Sequence, residues 1–188
     1  MPEDQAKTLR RYPTQYVWHW MMKDGTNVTI RPIRAEDEPL MVKFHEGLSD
    51  RSVYLRYFCS LSLKSRVSHE RLARICFADY EREIPLIAER REPVTGRAEI
   101  IGVGRLTRLL LQNQGEVAVV VSDQYQKKGL GTELLSRCIQ VAREEKIAVL
   151  LGEMLSDNLG MQVILRRLGF RAQMQKGFAS VRARLELF

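Results

Sequence analysis

The 188-residue chain predicts a mixed α/β fold: a central, mostly antiparallel, twisted sheet flanked by helices. Three observations carry this. The first two-thirds hold strand-like runs separated by tight-turn signals, as hairpins do. The last third alternates apolar runs with helix-spaced segments, as βα units do. Between them, residues 117–121 form an unbroken apolar run with four valines, the pattern of a strand buried on both faces.

Taken in order, residues 1–14 are polar and read as a tail or linker, and residues 15–188 as one domain. Residues 17–22 form a first strand, Asp24-Gly25 a hairpin turn, and residues 28–33 the next strand. Glu36, Asp37, Glu38 and Pro39 mark an acidic helix start, followed by Leu40, Phe44 and Leu48 at helical spacing. Ser49 opens a short second helix with Val53, Tyr54 and Tyr57 on its apolar side. Residues 60–64 read as a loop. Ser68 opens a further helix with Leu72, Ile75 and Cys76 facing inward. Strands follow at 84–89 and 100–110, with turns at 93–96 and at Asn113-Gln114-Gly115. After the valine run, Gly129-Leu130-Gly131 leads into a helix whose apolar positions fall at Leu130, Leu134, Cys138 and Val141/Ala142. Residues 149–155 form a buried strand and 158–168 a helix, with Gly169 at its C′ position. Residues 178–187 close the sheet.

Composition excludes several classes. The net charge is +7, compatible with a polyanionic ligand. The basic residues are dispersed rather than clustered with aromatics, which argues against nucleic acid. No apolar run approaches the ~20 residues of a membrane helix. There is no hydrophobic signal region. Cys59, Cys76 and Cys138 form no C-x-x-C pair and read as reduced, buried thiols of a cytoplasmic protein. His19, His45 and His69 have no metal-ligand spacing, so no metal is expected.

A buried strand, a glycine loop and a helix N-terminus together make an anion cradle. Loop N–H groups converge there, and the helix dipole favours negative charge. Glycines at 129 and 131 let the backbone approach a ligand closely. The spacing fits neither G-x-x-x-x-G-K-[ST] nor G-x-G-x-x-G; it is Q-x-x-G-x-G, formed by Gln126, Gly129 and Gly131.

That motif, between a buried strand and a helix, resembles the pyrophosphate loop of the GCN5-related N-acetyltransferases (GNAT), an acetyl-CoA-dependent family. The element order over residues 15–187 and the Leu168-Gly169-Phe170 ending are similar as well. The strings RRYPTQY, DGTNVTIRPIRAEDEP, FHEGLSDRSVYLRYF and ADYERE resemble the acetyltransferase domain of bacterial Pat-type protein lysine acetyltransferases. That domain is often fused to a large acyl-CoA-synthetase-like region or to a cyclic-nucleotide-binding domain. Neither fits in this length, so a stand-alone relative or an excised domain is expected.

The resemblance implies a GNAT fold and acetyl-CoA as co-substrate. It also implies a protein partner with an exposed lysine, with an acyl-CoA synthetase as candidate. Such a transfer needs a base, because only ~0.04% of a free lysine amine is neutral at pH 7. It also needs a donor for the oxyanion. The resemblance assigns the base to Glu116, where apolar neighbours are expected to favour proton uptake; the bland reading is a solvated glutamate after a turn. Backbone groups of Val119, Val120 and Val121 would pair with the pantetheine arm as an added strand does. Gln126, Lys127, Lys128, Gly129, Leu130, Gly131 and Thr132 would hold the pyrophosphate, although both lysines read equally well as plain surface. Asn158 would contact the cofactor or simply cap its helix. Arg167 is carried as a cofactor contact, with complementing the helix dipole as its alternative.

Many relatives carry a tyrosine acid seven residues after that asparagine; here the position is Leu165, and a thiol leaving group makes an acid dispensable. Tyr80 is a substitute by residue type only, and Asp79 and Glu83 are candidate substrate-facing carboxylates. The competing functions are a small-amine acetyltransferase and a non-catalytic acetyl-CoA sensor. A sensor would need the loop but not the glutamate. Oligomeric state is not legible.

Overall fold

Alternating apolar and polar residues make a first hairpin of β1 (Trp18–Met21) and β2 (Asn27–Pro32) around Gly25, whose φ of +84° only glycine adopts freely. The structure, a computed structural model, describes residues 11–109, 113–174 and 179–188. Four helices follow the hairpin: α1 (Glu38–Glu46), α2 (Asp50–Tyr57), α3 (Leu63–Arg66) and α4 (His69–Cys76). Ser49 and Ser62 cap α2 and α3 by accepting from the N–H three residues on. Strands β3 (Glu83–Arg91), β4 (Ala98–Leu109) and β5 (Gln114–Val121) come next, then helix α5 (Leu130–Glu144). The chain ends with β6 (Val149–Leu155), α6 (Leu159–Arg167), β7 (Arg171–Met174) and β8 (Ser180–Glu186).

The described strands form one sheet in the order β1-β2-β3-β4-β5-β6-β8-β7. Every neighbouring pair is antiparallel except β5 with β6. Side chains alternate across β5, so Val117, Val119 and Val121 join the core under α5, while Val120 joins the core under α1 and α4. Helix α5 lies close on β4 because Gly102 and Gly104 offer no Cβ; one at Gly102 would stand 2.9 Å from Leu134 Cδ1. The first helices are pinned by a buried guanidinium: Arg31 bonds both carboxylate oxygens of Asp37, at 2.7 and 2.8 Å, and also Glu89.

Four features depart from expectation. Residues 63–66 form α3 rather than a loop, the signal being the Ser62 cap. Strand β7 is new; four residues of polar edge carry no readable alternation. Gly115 belongs to β5 rather than to a turn, packed so that a Cβ would meet Leu106 and Leu150 at 3.1 Å. Cys59 is exposed just beyond α2, whereas Cys76 and Cys138 are buried as expected. Residues 110 and 178, placed in strands by sequence, lie outside the described residues, as does most of the polar tail. Tyr12, assigned to that tail, donates to the Pro32 carbonyl at 3.0 Å and meets Tyr80 edge-on. No helix among the described residues is long and apolar enough to cross a membrane.

Candidate functional site

The sheet opens at its one parallel seam. Strands β5 and β6 share three rungs, ending at Glu116 opposite Leu151. Beyond that point β5 stays with β4 as far as Val121, and β6 stays with β8 as far as Leu155. The backbone of residues 117–121 is therefore left without a ladder on its β6 side, which is a demand for hydrogen-bonding partners. Leu165 of α6 packs on the sheet face over Gly152. A Cβ at Gly152 would stand 3.3 Å from Leu165 Cδ1 and 3.9 Å from Val117 Cγ2. The resulting groove has a volume of about 780 Å³ and is walled by β5, β6, α2, α6 and the start of α5.

The loop at the groove's end is built by hydrogen bonds. Asp123 accepts from the N–H and hydroxyl of Ser49, at 3.0 and 2.6 Å, and from the Ser52 hydroxyl at 2.8 Å. Burial alone would raise its pKa, but these bonds outweigh it and hold the carboxyl below its usual range. Gln126 donates to Ser52 Oγ at 2.9 Å and to the Val121 carbonyl at 3.0 Å. Its amide thus braces the loop against the strand end while the residue lines the groove.

The backbone then turns left-handed at Lys127 (φ +60°) and at Gly129 (φ +93°). Helix α5 begins there without a side-chain cap. Among the described residues no acceptor is found for the N–H groups of Leu130, Gly131 and Thr132, the open donors of a helix N-terminus. Lys127, Gly129, Gly131 and Thr132 line the groove, whereas the Leu130 side chain is buried in the core. Lys128 does not line it; its ammonium pairs with Asp24 at 3.0 Å and lies over the Tyr125 ring. Lys23, from the β1–β2 turn, lines it instead. Sequence offered no signal for that lysine, because the hairpin's approach to the loop is a tertiary event.

Glu116, Val119, Val120 and Val121 all line the groove, as do Asn158 and Arg167. Glu116 is exposed at the seam's last rung, so the apolar enclosure expected for it is absent. Asn158 caps α6 by accepting from Met161 N–H at 3.2 Å. Arg167 stands exposed in the last turn of that helix.

Sequence reading missed α2 as a groove wall. Its Leu55, Arg56 and Tyr57, with Phe58 just beyond its end, line the cavity. The Asp123 bonds tie its start to the loop, and Arg51 pairs with Asp157 at 2.8 Å. Tyr80 is turned away from the groove and donates to the Ile33 carbonyl at 2.6 Å.

The candidate acidic residues separate. Asp79 stands 3.8 Å from Arg82. Glu83 stands opposite Thr107, which stands opposite Glu116, so the two glutamates share one row across β3, β4 and β5 and the same sheet face. Burial raises the Glu83 pKa; Asp79 adds to this and Arg105 opposes it.

Groove, loop and helix start form an elongated slot with open N–H donors at one end. The acetyltransferase (GNAT) domain model matches residues 27–171. An acetyltransferase of Pseudomonas aeruginosa is 29% identical over 157 residues, covering 82% of each chain. The GNAT domain of S. lividans PAT superposes with a TM-score of 0.81 at 27% identity, over 94% of this chain and 99% of that one. YncA of Salmonella typhimurium, whose structure holds its cofactor acetyl-CoA, superposes with a TM-score of 0.63 at 20% identity, over 86% and 94%. The chain belongs to the GNAT acetyltransferase family, enzymes that take their acetyl group from acetyl-CoA.

Proposed function

We propose that this chain, read as one domain over residues 15–188, acetylates a lysine side chain of a folded protein in the cytoplasm. An acyl-CoA synthetase is the first acceptor to try. The observation that carries the reading is Glu116 at the last β5–β6 rung, where the groove begins. Its support on the acceptor side is the 27% identity to the S. lividans PAT domain over 94% of the chain.

Acetyl-CoA bound in this groove supplies a thioester carbonyl open to attack by an amine. The edge of residues 117–121 that β6 leaves open takes the pantetheine arm as a neighbouring strand would, and one of its N–H groups polarises the carbonyl. The free N–H groups of Leu130, Gly131 and Thr132, together with Lys23 and Lys127, suit the pyrophosphate. Asn158 and Arg167 flank the groove from α6. Glu116 accepts the amine proton, directly or through one water. No acid is required at Leu165, because a thiol leaves readily as thiolate.

The test is a side-by-side assay of a folded acyl-CoA synthetase, a short peptide spanning one of its lysines, and small amines such as spermidine. The folded protein should show the highest kcat/KM, because its remote contacts orient the amine. A wide preference for a small amine would overturn the protein-acceptor reading and leave a small-amine acetyltransferase.

A further inference from the structure

A second cavity, of about 560 Å³, lies on the same sheet face as Glu116 and shares Arg56, Tyr57 and Val120 with the cofactor groove. Its floor is two successive rows of the sheet. Pro85 stands opposite Arg105, which stands opposite Ala118; the next row is Ile87, Val103 and Val120. The row before these is Glu83, Thr107 and Glu116. Along this face an acidic row is therefore followed by a row carrying Arg105, whose guanidinium reaches back toward Glu83.

The rest of the cavity strengthens that polarity. Arg56, Arg71, Arg74 and Arg105 line it, against one lining carboxylate, Glu70, which already pairs with Arg74. Among the described residues Arg105 has only a loose ion-pair partner, Glu83, at 3.8 Å. Arg56 makes no ion pair among the described residues; it stacks 5.0 Å from the Tyr57 ring centroid, with Arg71 at 4.8 Å. Burial, followed by repulsion from Arg105 and Arg71, lowers its pKa against the pull of Tyr57 and Glu116.

His45 adds no further positive charge. It is buried, and desolvation with the neighbouring arginines depresses its pKa to about 4, so the ring is neutral at pH 7. Its Nδ1 donates to the Met41 carbonyl at 2.9 Å, which leaves Nε2 to accept from the Tyr57 hydroxyl or from Arg71. Neutral His45 and Tyr57 thus hold guanidiniums in place without neutralising them. A surplus of half-buried positive charge in a cavity costs stability unless an anion occupies it.

The geometry points to a zwitterionic acceptor: the amine to be acetylated sits over the Glu116–Glu83 row, and a carboxylate of the same acceptor enters the adjoining cavity, where Arg105 and Arg56 bind it. This rests on the transferase reading above and narrows it. The carboxylate comes either from the acceptor's own chain terminus or from an aspartate or glutamate beside the target lysine. Guanidinium–carboxylate pairing, with its bidentate geometry, suits either source.

The test measures binding to the CoA-loaded protein by titration calorimetry and turnover with acetyl-CoA. The probes are Nα-acetyl-lysine, its carboxamide, and two C-terminally amidated lysine peptides differing only in glutamate or glutamine beside the lysine. The carboxylate form of one pair should bind and react at least about tenfold better than its neutral twin; which pair it is identifies the source. Arg105→Gln should bring that ratio close to one, Arg105→Lys should restore part of it, and Arg74→Gln should lower it less. Melting curves confirm that each variant folds. Equal behaviour of carboxylate and neutral twins, including binding of neither, overturns the inference. Turnover of the neutral probes would then leave the transferase reading standing, whereas absence of turnover with every amine, folded proteins included, would remove that reading instead.

Discussion

Glu116 and Glu83 occupy one row of the sheet, yet their surroundings differ: Glu116 is exposed at the groove mouth, while Glu83 is partly enclosed and lies 3.8 Å from Arg105. Only Glu116 borders the cofactor groove, and a base must come within hydrogen-bond reach of the attacking amine. Glu116→Gln keeps shape and removes proton acceptance. It should cut kcat by about 10² or more, flatten the acid side of the pH–rate profile, and leave acetyl-CoA affinity nearly unchanged. Glu83→Gln should cost less in kcat and act mainly on acceptor KM. Single-turnover and steady-state rates of both variants check this; the reverse ranking would transfer the role to Glu83. Glu116 was legible in sequence because it heads the valine run. Arg56 and Arg105 were not, since their meaning comes only from register across β4 and β5 and from the docking of α2.

Helix α2 is too short to be stable by itself; Val53 anchors it in the core, and polar bonds hold its start. Its N-terminus hangs on the Asp123 carboxylate through Ser49 and Ser52, and Gln126 links Ser52 to the end of β5. Sequence reading placed this helix and its Ser49 cap, but not the residue 74 positions away that completes the cap. Asp123→Ala should therefore loosen the groove wall more than it unfolds the protein. The expected loss is about 1 kcal/mol of stability, with a several-fold rise in acetyl-CoA KM, read by urea melts and kinetics. The sign with pH follows from a folded pKa below the unfolded one. The Asp123 contribution is complete above the unfolded value of ~3.9 and is lost as pH falls from there through the folded value. The parent should thus lose stability relative to Asp123→Ala only below about pH 4. A gap between the two that is the same at pH 3 and pH 7 would show that the carboxylate bonds contribute nothing.

At the scale of the whole molecule, the groove arises from a sheet that fails to close. The hairpins β1–β2 and β3–β4–β5 and the last-third βα units were readable from period and turn chemistry. The split was not, because it lies in the register: β6 stays with β8 after it has left β5. An open seam of unpaired backbone costs the apo protein stability, so a ligand that fills it should stabilise the fold as a unit. At about 100 times its Kd, acetyl-CoA should contribute roughly 2.7 kcal/mol, a rise in Tm of about 5–10 °C for a domain of this size. Gly129 separates charge from strain in this experiment. Its φ of +93° is left-handed, a region that asparagine and aspartate both tolerate better than other residues, and a Cβ there meets only Trp20 and Lys23, no closer than 3.8 Å. Gly129→Asn and Gly129→Asp should therefore lower the apo Tm by similar amounts. Gly129→Asn should keep most of the acetyl-CoA shift, whereas Gly129→Asp, with a carboxylate beside the N–H groups of Leu130, Gly131 and Thr132, should abolish it. An equal shift in both variants would mean that the pyrophosphate binds elsewhere, and no shift in the parent at millimolar acetyl-CoA would mean that the seam does not bind this ligand.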